Sequence, residues 1–299
     1  MNAPRDPADP DRHARDDDAR PDADEKSKAV RDGAPDDAPP AKKSYREILA
    51  QEIHEASIEL HRPQSGLVMS SLSAGMDVGF SLFAVAVMVS LLGGEIDGLP
   101  GRLLVSAVYP IGYIFVVIGR SELFTEHTTL AVLPVLNRDA RLSRLLRLWV
   151  TVYLGNLVGV TLFALFAATL GPELGAFHVD DLEHVARGIV DHDGWIIGLS
   201  AVLAGWLMGL LSWLVTAARE TIAQIAIVFM ITGLIGLGHL HHCIVGACEV
   251  FTALIAGADV TVSEAARFLG WATLGNAVGG VLFVGVVKYG HASRAAREG

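Results

Sequence analysis

Cysteine is almost missing from this sequence: only Cys243 and Cys248 occur, both inside one apolar segment, so neither a disulfide framework nor a cysteine-based metal site is expected. Positive charge is also scarce. With 23 Lys and Arg against 33 Asp and Glu, the net charge of −10 argues against a nucleic-acid partner. No basic stretch followed by an apolar one opens the chain, so no secretory signal is expected.

What the chain has instead is apolar side chains. They make up 52% of the residues and give a mean hydropathy of +0.43, although the first 65 residues are nearly all polar. Residues 1–43, dense in Asp, Arg, Ala and Pro, cannot bury enough surface to offset chain entropy and are expected to form a disordered cytoplasmic tail. Residues 44–62 place Ile48, Leu49, Ile53, Ile58 and Leu60 among charges; Ile48, Ile53 and Leu60 stand near helical spacing, which predicts a short amphipathic helix at the membrane surface.

The remainder, residues 65–290, reads as an all-α membrane domain of six spans, since a bilayer crossing needs about 20 apolar residues. Span one covers 67–92 and contains Asp77. Span two, 103–118, is interrupted by GRSELFTEHTT and resumes as LAVLPVL. Spans three and four are 148–170 and 196–218. Span five, 221–237, is broken by GHLHH before CIVGACEVFTALIAG, and span six covers 268–287. The second span of each set of three is broken, and LGNLVG (154–159) in span three recurs as LGNAVGG (274–280) in span six. These are the marks of an internal repeat, with a transport site where the helices unwind. Three spans per half make the two halves inverted.

The loop carrying Arg138, Arg141, Arg144 and Arg147 and the C-terminal segment carrying Lys288, Arg294 and Arg297 are read as cytoplasmic. The loop between spans three and four has six acids against the single Arg187 and is read as outside. Both termini, including a tail at 291–299, are then expected inside, in a multi-pass protein of the cell's inner membrane surrounded by lipid.

Two constellations carry chemistry. The first break puts Arg120, Glu122, Glu126 and His127 at membrane depth, where irregular backbone survives only in a protein interior or along a polar cavity. Arg120 and Glu122 could simply neutralise each other at a helix end. Thr125 can donate to an anion or to a histidine across the pore, and Leu123 and Phe124 are apolar enough to gate. The second break holds His239, His241 and His242. His239 and His242 share a helical face, and Glu249 lies about two turns beyond, so a His/Glu metal centre is one reading; an imidazole that takes and gives a proton is another. Asn156 and Asn276 sit among small residues that allow close helix approach, and their amides can bond unwound backbone or reach the pore. Asp77 is either the partner of a helix end or a residue at a subunit interface.

SELFTEHT before a half-helix, LGNLVGVTLF, the histidine in the break of span five and LGNAVGGVLF together resemble the formate/nitrite transporter family over roughly residues 65–290. The resemblance implies an aquaporin-like protomer assembled as a homopentamer. Each protomer would have its own pore for a small monocarboxylate or inorganic anion such as formate, nitrite or hydrosulfide. It implies that Leu123, Phe124 and Thr125 belong to the gating loop, that His242 is the central histidine, that Asn156 and Asn276 are the family's Gly-Asn positions, and that Arg147 replaces a lysine. Departures are His241-His242-Cys243 in place of Glu-His-Ser, the constriction residues Tyr109, Tyr113 and Ile235, and the titratable pair Glu126-His127. The leading expectation is passage of an anion with His242 handling a proton, with no enzyme activity, cofactor or metal. Its rivals are a membrane-embedded metalloenzyme using His239, His242, Glu249 and His127, and a neutral-solute channel, whose paired Asn-Pro-Ala signatures do not occur.

Overall fold

In a computed structural model, residues 42–94, 96 and 98–283 are described. The expected tail at 1–43, save its last two residues, and the C-terminal segment with Lys288, Arg294 and Arg297 lie outside them.

Helix α1 (Tyr45–His61) starts at a capping box in which Ser44 and Glu47 satisfy each other's backbone N–H. It buries Ile48, Glu52, Ala56 and Leu60, a strict four-residue repeat. That face looks into the protein. Lys43 Nζ donates to the Thr216 carbonyl at 2.5 Å, and the Tyr45 ring lies 4.7 Å from that of Trp213. Ile58, read from sequence as part of the apolar complement, is 53% exposed.

Helix α2 (Gln64–Leu91) is followed by α3 (Leu99–Val108) and α4 (Ile111–Gly119), which together make one apolar segment of 21 residues, Leu99–Gly119. The kink between α3 and α4 falls at Pro110, which has no N–H to continue the ladder. Ser81 of α2 repairs it: its hydroxyl donates to the Tyr109 carbonyl at 2.6 Å and accepts the Gly112 N–H at 3.1 Å. After the first break come α5 (Phe124–Leu130) and α6 (Leu133–Leu136), then α7 (Leu142–Glu173), α8 (Val179–Val190) and α9 (Gly194–Ala217). Helix α10 (Thr221–Leu237) leads to the second break, α11 (Cys243–Ala256) and α12 (Val262–Val281). Among the described residues four segments, α2, α3 with α4, α7 and α9, are long and apolar enough to cross a membrane; α10 and α11 are shorter apolar helices on either side of a break. The expected sixth span at 268–287 begins later than α12 and runs past the described residues.

The two most extensive helix pairs are α9 with α12 and α2 with α7. Each is closed by glycine. A Cβ on Gly75 would overlap the backbone of Asn156, and one on Gly205 would overlap the backbone of Asn276, so only glycine permits these approaches. The half-helices cross over: α5 packs against α9 and α12, whereas α11 packs against α7 and α2. Each break is thereby held by helices from both parts of the chain.

Candidate functional site

The two breaks have one backbone design. Just past the end of α4 stands Arg120 and just past the end of α10 stands His239, both left-handed, with φ of 55° and 48°. In each case the next amide reaches back five residues, Ser121 N–H to the Val116 carbonyl and Leu240 N–H to the Ile235 carbonyl. Such an ending usually uses glycine, and a larger residue there carries about 1 kcal/mol of strain or more. Four residues after each left-handed position a new helix begins, at Phe124 and at Cys243.

One asparagine fastens each break. Asn156 Oδ1 accepts the Phe124 N–H at 2.8 Å, and its amide donates to the carbonyls of Ser71 at 2.7 Å and Glu122 at 2.9 Å. Asn276 Oδ1 accepts the Cys243 N–H at 2.8 Å, and its amide donates to the carbonyls of Ala201 at 2.8 Å and His241 at 3.0 Å. Each side chain satisfies the first N–H and one carbonyl of its break and adds a bond to a carbonyl inside a neighbouring helix, which is the first of the two roles open to them from sequence.

The breaks meet at Thr125 and His242. Thr125 Oγ1 and His242 Nε2 are 2.9 Å apart, and both residues are buried. His242 is also the N-cap of α11, its Nδ1 accepting the Val245 N–H at 3.3 Å. That pattern assigns the proton of the neutral ring to Nε2, aimed at Thr125, and leaves the threonine hydroxyl free to donate onward. The Tyr113 ring stands edge-on to the imidazole at 5.3 Å, and its hydroxyl bonds that of Tyr109 at 3.2 Å.

Cavities open toward both breaks. On the α8 side a cavity of about 150 Å³ is lined by His242, Tyr109, Ile235, Glu249, His184 and His239. On the α1 side one of about 420 Å³ is lined by Arg120, Glu122, Glu126, His127, Lys43 and Gln51, among others. The constriction residues expected from the resemblance therefore surround His242, and Glu126 and His127 face the opposite cavity. Leu123 and Phe124 line neither: both are buried, and the Phe124 ring packs on Tyr153 at 4.9 Å and Trp149 at 6.3 Å. Arg147 is exposed near the start of α7 and lines neither cavity.

His241 and His242 diverge. The His241 ring bonds Ser200 Oγ at 2.8 Å and the Ile189 carbonyl at 3.1 Å, pinning the break to α9 and α8. Glu122 does not pair with Arg120. Its ion-pair partners are Arg62 at the end of α1, at 2.9 Å, and the imidazole of His127, whose carbonyl accepts the Trp149 indole N–H at 3.0 Å. Arg62 escaped the sequence reading, since nothing at 60 residues' separation marks it as a partner. Asp77 accepts the Ser121 hydroxyl at 3.0 Å and so serves the helix end. Among the described residues no three side chains of the His, Cys, Asp or Glu type converge to hold a metal ion, and His127 and Glu249 border different cavities.

The family model for formate/nitrite transporters matches residues 46–290. Inner membrane protein YfdC of Escherichia coli is 32% identical over 202 residues, 67% of this chain and 63% of that protein, so the match spans just under two thirds of the relative. Nitrite transporter NirC of Salmonella typhimurium is 28% identical over 224 residues, covering 74% of this chain and 81% of that one. A pentameric formate channel with formate bound shares the fold at a TM-score of 0.65 and 22% identity, over 77% of this chain and 98% of its own. The chain is a membrane protein and belongs to the formate/nitrite transporter family.

Proposed function

We propose that this protein carries a small monovalent anion of the formate or nitrite class across the inner membrane, through a pore in each protomer of a homopentamer. The observation that carries the reading is the buried Thr125–His242 hydrogen bond, which joins two helix breaks and has a cavity opening toward each. The family's name and the relatives' names support the substrate class.

Six crossings in two inverted halves account for the shared design of the breaks. The α1 side is cytoplasmic on this reading: the guanidinium of Arg144, from the Arg-rich loop, contacts His61 of α1, whereas the acidic segment carrying α8 lies by the other cavity. Helix α1 then sits at the cytoplasmic membrane surface.

An anion at the centre would be met by the Thr125 hydroxyl, polarised by the His242 Nε2–H, and by the positive end of α11. Burying a bare anion is costly, so a proton that turns it into the neutral acid lowers the barrier. His242 is the residue expected from sequence to handle that proton. To do so it would have to release either the Val245 cap or Thr125.

The test is flux of formate and nitrite into proteoliposomes between about pH 5 and about pH 8, wild type against His242→Ala. The reading expects flux in the wild type and its loss in the variant. Flux of neither anion by the wild type would overturn the function, and unchanged flux in the variant would remove the histidine from the path.

A further inference from the structure

We infer that Glu249, and not His242, is the group that exchanges a proton with the anion in the cavity on the α8 side; the inference rests on the anion-passage reading above. Glu249 lies seven residues after His242 on α11, two turns along the same helical face, and both line the cavity of about 150 Å³. Glu249 is 7% exposed, and among the described residues no group hydrogen-bonds or ion-pairs with it.

The surroundings make that carboxyl group unusual. Val85 and Val89 of α2 and Phe268 of α12 contribute apolar wall, and α7 contributes no lining residue. The titratable groups that face Glu249 are Tyr109 and Tyr113 at the α3–α4 kink, His184 from α8, His239 and His242 from the break, and Cys248 beside it. No Lys or Arg lines the cavity. An unpaired carboxylate at membrane depth costs free energy, and an incoming anion would add repulsion to that cost. A proton on the carboxyl group removes both.

His242 is less suited to the exchange, because each ring nitrogen is already committed: Nδ1 accepts the Val245 N–H and Nε2 holds its proton toward Thr125. Glu249 has no such commitment. In the exchange the carboxyl O–H bond breaks and the proton forms a bond to an oxygen of the anion, giving the neutral acid and the Glu249 carboxylate. Water at the mouth returns a proton to the carboxylate. No electrons change hands, and the reverse sequence releases the anion on that side. His242 and Thr125 then supply hydrogen bonds to the passing molecule, and Glu249 supplies its proton.

The experiment follows labelled formate and an entrapped pH dye in proteoliposomes of the full chain, with the pH on each side set separately. The wild type is expected to move one proton with each formate, and its flux should fall as the α8-side pH rises from about 5 to about 8. Glu249→Gln, nearly isosteric, should lose about a hundredfold of that flux, the lower end of what a positioned acid contributes, and its residual flux should not respond to pH. Wild-type formate flux together with an unchanged pH profile in Glu249→Gln would overturn the Glu249 assignment and leave anion passage standing. Reduced flux with the wild-type pH profile would do the same, since it marks a structural role only. No flux of formate or nitrite in the wild type would overturn both. A measurement on the wild type alone guards against misfolding of the variant: a membrane-permeant carbodiimide, which reacts with protonated carboxyl groups, should modify Glu249 and block flux. Continued flux without modification at Glu249 overturns the inference.

Discussion

The two helix breaks share a backbone and differ in chemistry. Arg120 and His239 occupy the same left-handed position, Leu123 and His242 the same extended N-cap, and Phe124 and Cys243 the same asparagine-bound start of a helix. At the first break the surrounding charges form a network, Arg62 with Glu122 and Glu122 with His127, of which Glu122 and His127 face the α1-side cavity. At the second the N-cap itself, His242, reaches across to Thr125, and its neighbour His241 is spent on Ser200 and the Ile189 carbonyl. A repeated scaffold therefore supplies position, and the side chains placed on it decide what each break does. Leu123 at the N-cap leaves the first break to present Thr125, two residues on, to the imidazole of the second.

The largest effect should come from what the breaks have in common. Asn156→Ala and Asn276→Ala each remove three hydrogen bonds and leave one break N–H and one break carbonyl unpaired, and at about 1–3 kcal/mol per unsatisfied group each should cost roughly 2 kcal/mol or more. Thermal melts in detergent are expected to show similar, large losses for both. A large loss at one and none at the other would break the equivalence.

Next come the side chains in which the breaks differ. Thr125→Val removes a hydroxyl without changing shape much, and His242→Asn keeps an acceptor for the Val245 cap while giving up the Nε2–H. Each is expected to lower formate or nitrite flux by about tenfold or more, the worth of one hydrogen bond to a charged group, with little change in melting temperature. Flux and melting falling together would instead make the pair structural. Glu122→Gln weakens the link from α1 to the first break and should have a smaller effect, about 1 kcal/mol, that shrinks as salt is raised.

The smallest effect lies outside the breaks. At the start of α12 the Thr261 N–H and hydroxyl donate to the Glu264 carboxylate, and with Arg187 nearby they hold its pKa down to about 2. Because the folded value lies below that of the unfolded chain, the stabilisation is present above the usual carboxylate range and is lost as pH falls toward about 2. Wild type and Glu264→Gln should therefore differ slightly in melting temperature at pH near neutral and converge in acid.

The breaks were legible in the sequence because polar residues inside apolar runs are costly in lipid and so mark backbone that needs a partner. Asn156 and Asn276 were legible for the same reason, through the repeated Leu-Gly-Asn. Partners were not. Ser81, which repairs the Pro110 kink, and Arg62, which meets Glu122, are ordinary residues far away in the chain, and only the fold brings them close. The face of α1 was read from its large apolar residues, whereas the buried stripe runs through Glu52 and Ala56. His241 and His242 could not be told apart by type; adjacent positions point apart, and the neighbours each one meets decide its role.

The central claim is that Thr125 and His242 act as one unit at the meeting point of the two breaks. A double-mutant cycle on formate flux tests it directly, comparing Thr125→Val, His242→Asn and the two combined in proteoliposomes. If the unit is real, the double variant should be no slower than the slower single variant. Losses that multiply, each independent of the other, would contradict it.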